Sequence, residues 1–146
     1  MSATAPAVLE VAGVHVTLRG TPVLRDLSLS LLAGQCRAVV GLNGAGKTTA
    51  LRVILGMLRP DTGRVLLYGH DIASSSRDAW RRVGHLIETP FVYPELTARQ
   101  NIEAAARLHG ADPERTGRAV HRMGEALALT GWLDVPARRL SLGTRQ

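Results

Sequence analysis

Residues 41–49, Gly-Leu-Asn-Gly-Ala-Gly-Lys-Thr-Thr, restrict the chain more than any other stretch. They meet the spacing G-x-x-x-x-G-K-[ST] through Gly41, Gly46, Lys47 and Thr48, which needs a strand leading in and a helix leading out. Gly41, Gly44 and Gly46 permit backbone angles closed to other residues. The N–H groups of the run Gly41, Leu42, Asn43, Gly44, Ala45, Gly46, Lys47, Thr48 and Thr49 can therefore turn inward on phosphate oxygens. The first turn of the following helix adds its dipole to the same anion. Of 18 basic residues only Lys47 is lysine; every other is arginine. A compact ammonium on a flexible stem enters a small ring of amides, which a planar guanidinium cannot do. Thr48 offers a hydroxyl where Mg²⁺ would bridge phosphates.

The flanking pattern supplies that context. Apolar residues alternate at 14–18 (Val14, Val16, Leu18) and 27–31 (Leu27, Leu29, Leu31), predicting half-buried antiparallel strands. The run 36–41 is denser in apolar residues and predicts a buried strand ending at Gly41. A helix is expected from Gly46, with Leu51, Ile54 or Leu55, and Leu58 on one face. Residues 59–64 read as a turn, and 65–69 and 83–87 as further strands, the second entered through a helical turn around Trp80. Beyond residue 94 the pattern is helical. Thr97 and Gln100 form a capping box that opens a helix carrying Ile102, Ala105, Ala106 and Leu108 and stopping at Gly110. Asp112 and Pro113 open a second, with Val120, Met123 and Leu127 inward and Gly131 at its end.

At 146 residues with 45% apolar content the chain can supply a core. Its net charge of +6 comes from scattered arginines, so no nucleic-acid arm is read and no nucleic acid is expected as a partner. The single Cys36 permits no internal disulfide. The longest segment without Asp, Glu, Lys or Arg is 27–36, far short of the roughly 20 residues a membrane helix needs. No charged region precedes an apolar stretch at the start, so no secretory leader is expected. A soluble protein of a reducing compartment is the expectation.

Three stretches occur in a telling order: "GLNGAGKTT", then "GHLIETPFVYPELTARQNI" (84–102), then "LSLGTRQ" (140–146). From Val8 onward the chain resembles the ATP-binding domains of ABC transporters, most closely the branch of bacitracin and lantibiotic export or immunity ATPases. The resemblance implies an α/β P-loop NTPase fold of ABC type: an antiparallel β subdomain, a partial parallel α/β core and a helical subdomain. Residues 1–94 would form the ATP-binding core, 95–139 the helical subdomain and 140–146 the signature motif. Residues 41–49 would be the Walker A loop, with Lys47 catalytic. Glu88 stands where most of the family has a glutamine, and would act beside Lys47 and join Thr48 at the metal. Taken alone, Glu88 reads as an exposed strand-end acid, and Phe91, Val92 and Tyr93 as internal packing. The resemblance instead places the loop 90–96 in a groove that receives a permease helix.

It also gives "LSLGTRQ" a role. In this family two domains pair head to tail, and each signature closes over the ATP in the partner's Walker A loop. Ser141 can cap the following helix, and Gly143 allows close backbone approach. The implied partners are a transmembrane permease and a second ATP-binding domain, identical or not. The implied ligands are ATP and Mg²⁺, and the implied place is cytoplasmic, on the inner face of the cell membrane through that permease, in an exporter serving antibiotic resistance.

Two departures qualify this. The family usually stacks adenine on an early aromatic residue; here that position is Leu18, and no aromatic precedes Tyr68. The 146 residues also contain no Walker B strand, catalytic glutamate or switch histidine, so the chain is expected to be truncated before Walker B, poorly stable and without appreciable ATPase activity. The alternatives are a non-hydrolysing nucleotide-binding fragment or module and a translation-factor ABC protein. Lys47 and Leu140 lie too close in the chain for the long coiled coil of chromosome-organising relatives.

Overall fold

A computed structural model describes residues 7–74, 80–87 and 91–145. The chain divides into two compact units, Met1–Ala79 and Trp80–Gln146.

The first unit is built on a four-stranded antiparallel sheet in the order β2-β1-β3-β4: β1 (Ala7–Leu18), β2 (Thr21–Leu32), β3 (Thr62–Leu67) and β4 (His70–Asp71). Helix α1 (Lys47–Ile54) packs on it. The two alternating stretches are strands, longer than their pattern announces. Arg19 (φ 50°) and Gly20 (φ 78°) make the β1–β2 turn with both central residues left-handed, the geometry whose twist matches paired strands. Tyr68 and Gly69 repeat the device between β3 and β4. The core gathers Val11, Val14, Val16, Leu24 and Val65 under Ala50 and Val53 of α1. The helix thus buries Ala50 and Val53 and leaves the expected inward Leu51 40% exposed. Gly63 (φ +86°) lies against β1, where a Cβ would stand 2.4 Å from the Gly13 carbonyl oxygen. Asp61 ties the preceding turn to β1: its N–H donates to His15 O (2.9 Å) and its carboxylate accepts from Thr17 N (2.7 Å).

The expected parallel part of the core is not formed as strands. Residues 35–42 have no regular structure, and Val40 is 90% exposed. Residues 83–87 are likewise irregular. Apolar content alone cannot make a parallel strand, which takes its hydrogen bonds from flanking strands. Among the described residues no segment pairs with either stretch.

The second unit holds α2 (Ala98–Leu108), α3 (Pro113–Ala126) and α4 (Leu142–Arg145), with 3₁₀ turns at Thr130–Trp132 and Ala137–Arg139. Both predicted starts form. Thr97 Oγ1 accepts from Gln100 N (3.2 Å) while Gln100 Oε1 accepts from Thr97 N (2.9 Å), and Asp112 Oδ1 accepts from Arg115 N (2.8 Å). The end of α3 differs from expectation. It stops at Ala126, five residues before Gly131, because Ala128 (φ 55°) takes the left-handed angle and Leu129 N returns to Gly124 O (2.7 Å). Val120 is buried as expected, but Met123 (51%) and Leu127 (59%) are exposed. The core space goes instead to Leu133, Ala137 and Leu140, with Leu133 seated against Gly124. Arg99 and Asp134 form a two-pronged ion pair (2.8 and 3.3 Å) across the start of α2. The hydrogen bond from Arg99 holds the Asp134 carboxyl below its ordinary value.

Candidate functional site

The loop is exposed over 41–45, half-buried at Gly46, and closes on itself: Ala45 N donates to Leu42 O (3.1 Å). Gly44 (φ +84°) and Gly46 (φ +88°) hold angles that side chains resist. Gly46 needs its bareness twice over. A Cβ there would sit 3.0 Å from both Leu24 Cδ2 and Val23 O. Those contacts trace to β2, where pairing steps from Val16↔Leu24 to Thr17↔Pro22 and leaves Val23 as an extra residue. Such a bulge turns a strand's backbone locally, and here the turned residue seats the loop.

Lys47 is the first residue of α1, and its ammonium donates to Gly41 O (2.7 Å) and Leu42 O (2.8 Å). The charge thus lies across the mouth of the loop. Behind it the N–H groups of the first turn have no partner within the helix. Gly46 supplies no side-chain cap, and no acidic residue occupies that turn. Helices α2 and α3 are closed by Thr97 and Asp112, so among the described residues α1 is the long helix whose start stays open. Fixed N–H dipoles and one ammonium converge where a multiply charged anion fits. Thr48 and Thr49, both half-buried, follow in the same turn.

With this geometry established, comparison places the chain. A family model described as "ABC transporter" matches residues 24–146. The chain belongs to the ABC transporter family. It is 34% identical over 142 residues to the cytochrome c biogenesis ATP-binding export protein of Cupriavidus metallidurans, covering 97% of this chain and 66% of that relative. An autoinducer 2 import ATP-binding protein of Enterobacter sp. is 38% identical over 110 residues, 73% of this chain and 22% of the relative. A solved ATP-binding subunit of an ABC transporter matches with a TM-score of 0.85 at 28% identity, over 94% of this chain and 57% of that one. The chain spans 45% to 66% of the length of curated relatives that match nearly all of it.

The remaining expected site residues of this ABC-family chain fall in the second unit. Glu88 lies outside the described residues. Ser141 Oγ accepts from Thr144 N (3.2 Å) and shares a 2.8 Å hydrogen bond with Thr144 Oγ1, the expected cap on α4. Nothing lies within 4 Å of where a Gly143 Cβ would be. Phe91 is 85% exposed and meets Tyr93 edge to face at 5.2 Å, so it does not pack internally as its residue type alone suggests. Beside them Val92, Ile102, Trp132, Leu133 and Leu140 line a cavity of about 230 Å³.

Two contributors were not anticipated from sequence. One is the hairpin segment Val23–Leu24 that seats Gly46. The other is Asn101, whose side chain accepts from Tyr93 N (2.7 Å) and donates to Tyr93 O, Leu96 O and Thr97 O (3.1, 3.2 and 3.0 Å). The only sequence signal for Asn101 is its type: a short amide in a first helical turn can reach back to the loop before it. No helix among the described residues is long and apolar enough to cross a membrane.

Proposed function

We propose that residues 41–49 hold the triphosphate of ATP, in the nucleotide-binding subunit of a transporter of antibiotic or peptide-like cargo. The observation that carries this is the Lys47 ammonium, held at 2.7 and 2.8 Å by the loop's carbonyls in front of an uncapped helix start. On binding, the ammonium would exchange those carbonyls for phosphate oxygens, while the loop and first-turn N–H groups orient the chain of phosphates. Thr48 offers one neutral oxygen at the second position of α1, a donor set that suits an ion retaining most of its waters. Mg²⁺ held there and by Glu88 would neutralise phosphate charge.

No apolar run followed by Asp-Glu occurs in 1–146, so the reading gives these residues nucleotide binding and names no hydrolytic base among them. Ser141 and Gly143 would close over the nucleotide of a second ATP-binding domain. The exposed Phe91–Tyr93 face would receive a permease's cytoplasmic helix, which would hold the protein on the inner face of the membrane. The export reading draws on the signature's likeness to the bacitracin and lantibiotic branch and on the export role that the Cupriavidus relative's name states.

Displacement of a fluorescent ATP analogue tests the centre of this reading. Lys47→Ala should weaken binding by about 30-fold or more, the loss of charge-assisted hydrogen bonds worth about 2 kcal/mol or above. Unchanged affinity in a folded Lys47→Ala chain would overturn it.

A further inference from the structure

We propose that the groove between α2 and α3 docks a short amphipathic helix of another protein, one that carries carboxylates along a single flank. The groove belongs wholly to the second unit and has a volume of about 540 Å³. It is not the Phe91–Tyr93 face, since neither residue lines it. Ile102 and Ala106 of α2 line it together with Ala119, Val120 and Met123 of α3 and Leu127 just beyond. Val120 is 3% exposed, whereas Ile102, Met123 and Leu127 are 46%, 51% and 59% exposed. A contiguous apolar patch of this kind marks an interaction surface. Among the described lining residues the one hydroxyl, Thr116 Oγ1, already donates to Asp112 O (2.8 Å), so a partner must bring an apolar face.

Shape selects a helix. Ala106 and Ala119 contribute only a methyl each, which lets a third helix axis approach to about 8 Å. From Arg115 to Leu127 the groove follows α3 for about 18 Å, the length of three helical turns. Charge selects the flank. Arg115, Arg118 and Arg122 stand at i, i+3 and i+7 and form one stripe beside Ala119 and Met123. Arg118 is taken by Glu114 (2.9 Å). Arg115 and Arg122 are exposed and form no ion pair among the described residues. Nothing on α2 offsets them: of Ile102's helical neighbours, Ala98, Ala105 and Ala106 are uncharged and Arg99 is held by Asp134 (2.8 Å). Two guanidiniums along one edge of an apolar groove therefore fit carboxylates two turns apart on the incoming helix. Two copies of this chain paired groove to groove about a twofold axis would set these arginines against their own counterparts. A flat anionic membrane would meet the stripe and leave the groove empty.

The experiment is fluorescence polarisation of a labelled helical peptide of about 14 residues on the purified chain. Leucines occupy every third or fourth position and glutamates one flank; a second peptide carries lysines in place of the glutamates. The glutamate peptide should bind saturably, about tenfold tighter than the lysine peptide at low salt, and lose that margin at high salt. Arg115→Glu with Arg122→Glu should reverse the preference, and Met123→Gln should weaken both peptides by about fivefold. Circular dichroism checks that each variant keeps its helices. Equal binding of the two peptides, or a preference that a helical double variant does not reverse, overturns the acidic partner. Absence of saturable binding by either peptide overturns the docking site. A dimer of the chain dispersed by Met123→Gln gives the groove to a second copy, and phosphatidylserine vesicles that displace the glutamate peptide give it to a membrane; either result overturns the proposal. None of these outcomes bears on the phosphate loop, which lies in the other unit.

Discussion

Replacing Asn101 by alanine tests whether one side chain holds the loop before α2. Four contacts are lost, but the amide has only two N–H donors to share among its three carbonyls, and the costs differ. Tyr93 O keeps Leu96 N, Leu96 O keeps Ala137 N and Thr97 O keeps Asn101 N, so each carbonyl retains a partner. Tyr93 N loses the Asn101 acceptor in an exposed setting where water can substitute. The two part-buried bonds, to Leu96 O and Thr97 O, carry most of the loss. With the two N–H groups counted on these at about 1 kcal/mol each, and about half that for the exposed bond from Tyr93 N, the loss is about 2.5 kcal/mol. Alanine's better helix propensity returns about 0.5 kcal/mol, leaving about 2 kcal/mol. Both tryptophans, Trp80 and Trp132, lie in the second unit, so urea unfolding followed by their fluorescence reads this directly. Amide exchange at Tyr93 should quicken by more than the global loss explains. Asn101→Asp separates the roles. Its carboxylate still accepts from Tyr93 N, so that amide stays protected, yet it faces three carbonyls with no donor and should cost at least as much as alanine at neutral pH. A loss under about 0.5 kcal/mol for alanine, below the net worth of one hydrogen bond, or a native-like Asp variant would refute the clip.

Gly63→Ala should cost about 3 kcal/mol or more, because the new methyl meets backbone atoms at 2.4–2.6 Å that no rotamer can move, on top of the left-handed angle. Gly69→Ala, with the same sign of φ but open space around it, should cost only about 1 kcal/mol; circular dichroism of urea unfolding compares them, and equal losses would deny the contact with Gly13. For Asp134 the sign follows from its lowered value: the pair with Arg99 stabilises fully above the ordinary carboxylate value of 3.8 and is lost as pH falls through the lower folded value. Asp134→Asn should therefore flatten the acid limb of stability against pH, measured by urea midpoints in a pH series, and an unchanged limb would place that proton elsewhere.

Local signals carried far in this chain. The helix that leaves the loop at Lys47, the capping box at Thr97 and Gln100, the Asp112–Pro113 start and the Ser141 cap each depend on residues within a few positions of one another, and each forms as read. The alternation around Val14 and Val16 was legible because one face of an antiparallel strand can be satisfied by its hairpin neighbour. Strand 36–41 was over-read because its pattern announces burial without saying what buries it. The end of α3 differs for another reason: glycine is the usual stop signal, and here Ala128, an ordinary residue, takes the left-handed angle while Leu129 N returns to Gly124 O. Asn101 escaped because its four partners belong to a loop whose path no periodicity describes.

The state of the helix starts divides structure from function more sharply than composition does. α2 and α3 begin with side chains that accept their own first-turn N–H groups, so their dipoles are spent internally. α1 begins with a residue that has no side chain, at an angle few others tolerate, set against a strand bulge that leaves little room for one. A Cβ at position 46 would stand 3.0 Å from Val23 O and Leu24 Cδ2, which would have to give by a few tenths of an ångström, and the left-handed angle there strains any side chain. The open end is therefore favoured by the left-handed angle and by the hairpin's crowding, and the lysine that follows brings to that end a charge the remaining amides alone could not supply. The β1–β2 hairpin, which carries no phosphate-binding residue, is on this account the part of the fold that keeps the anion site available.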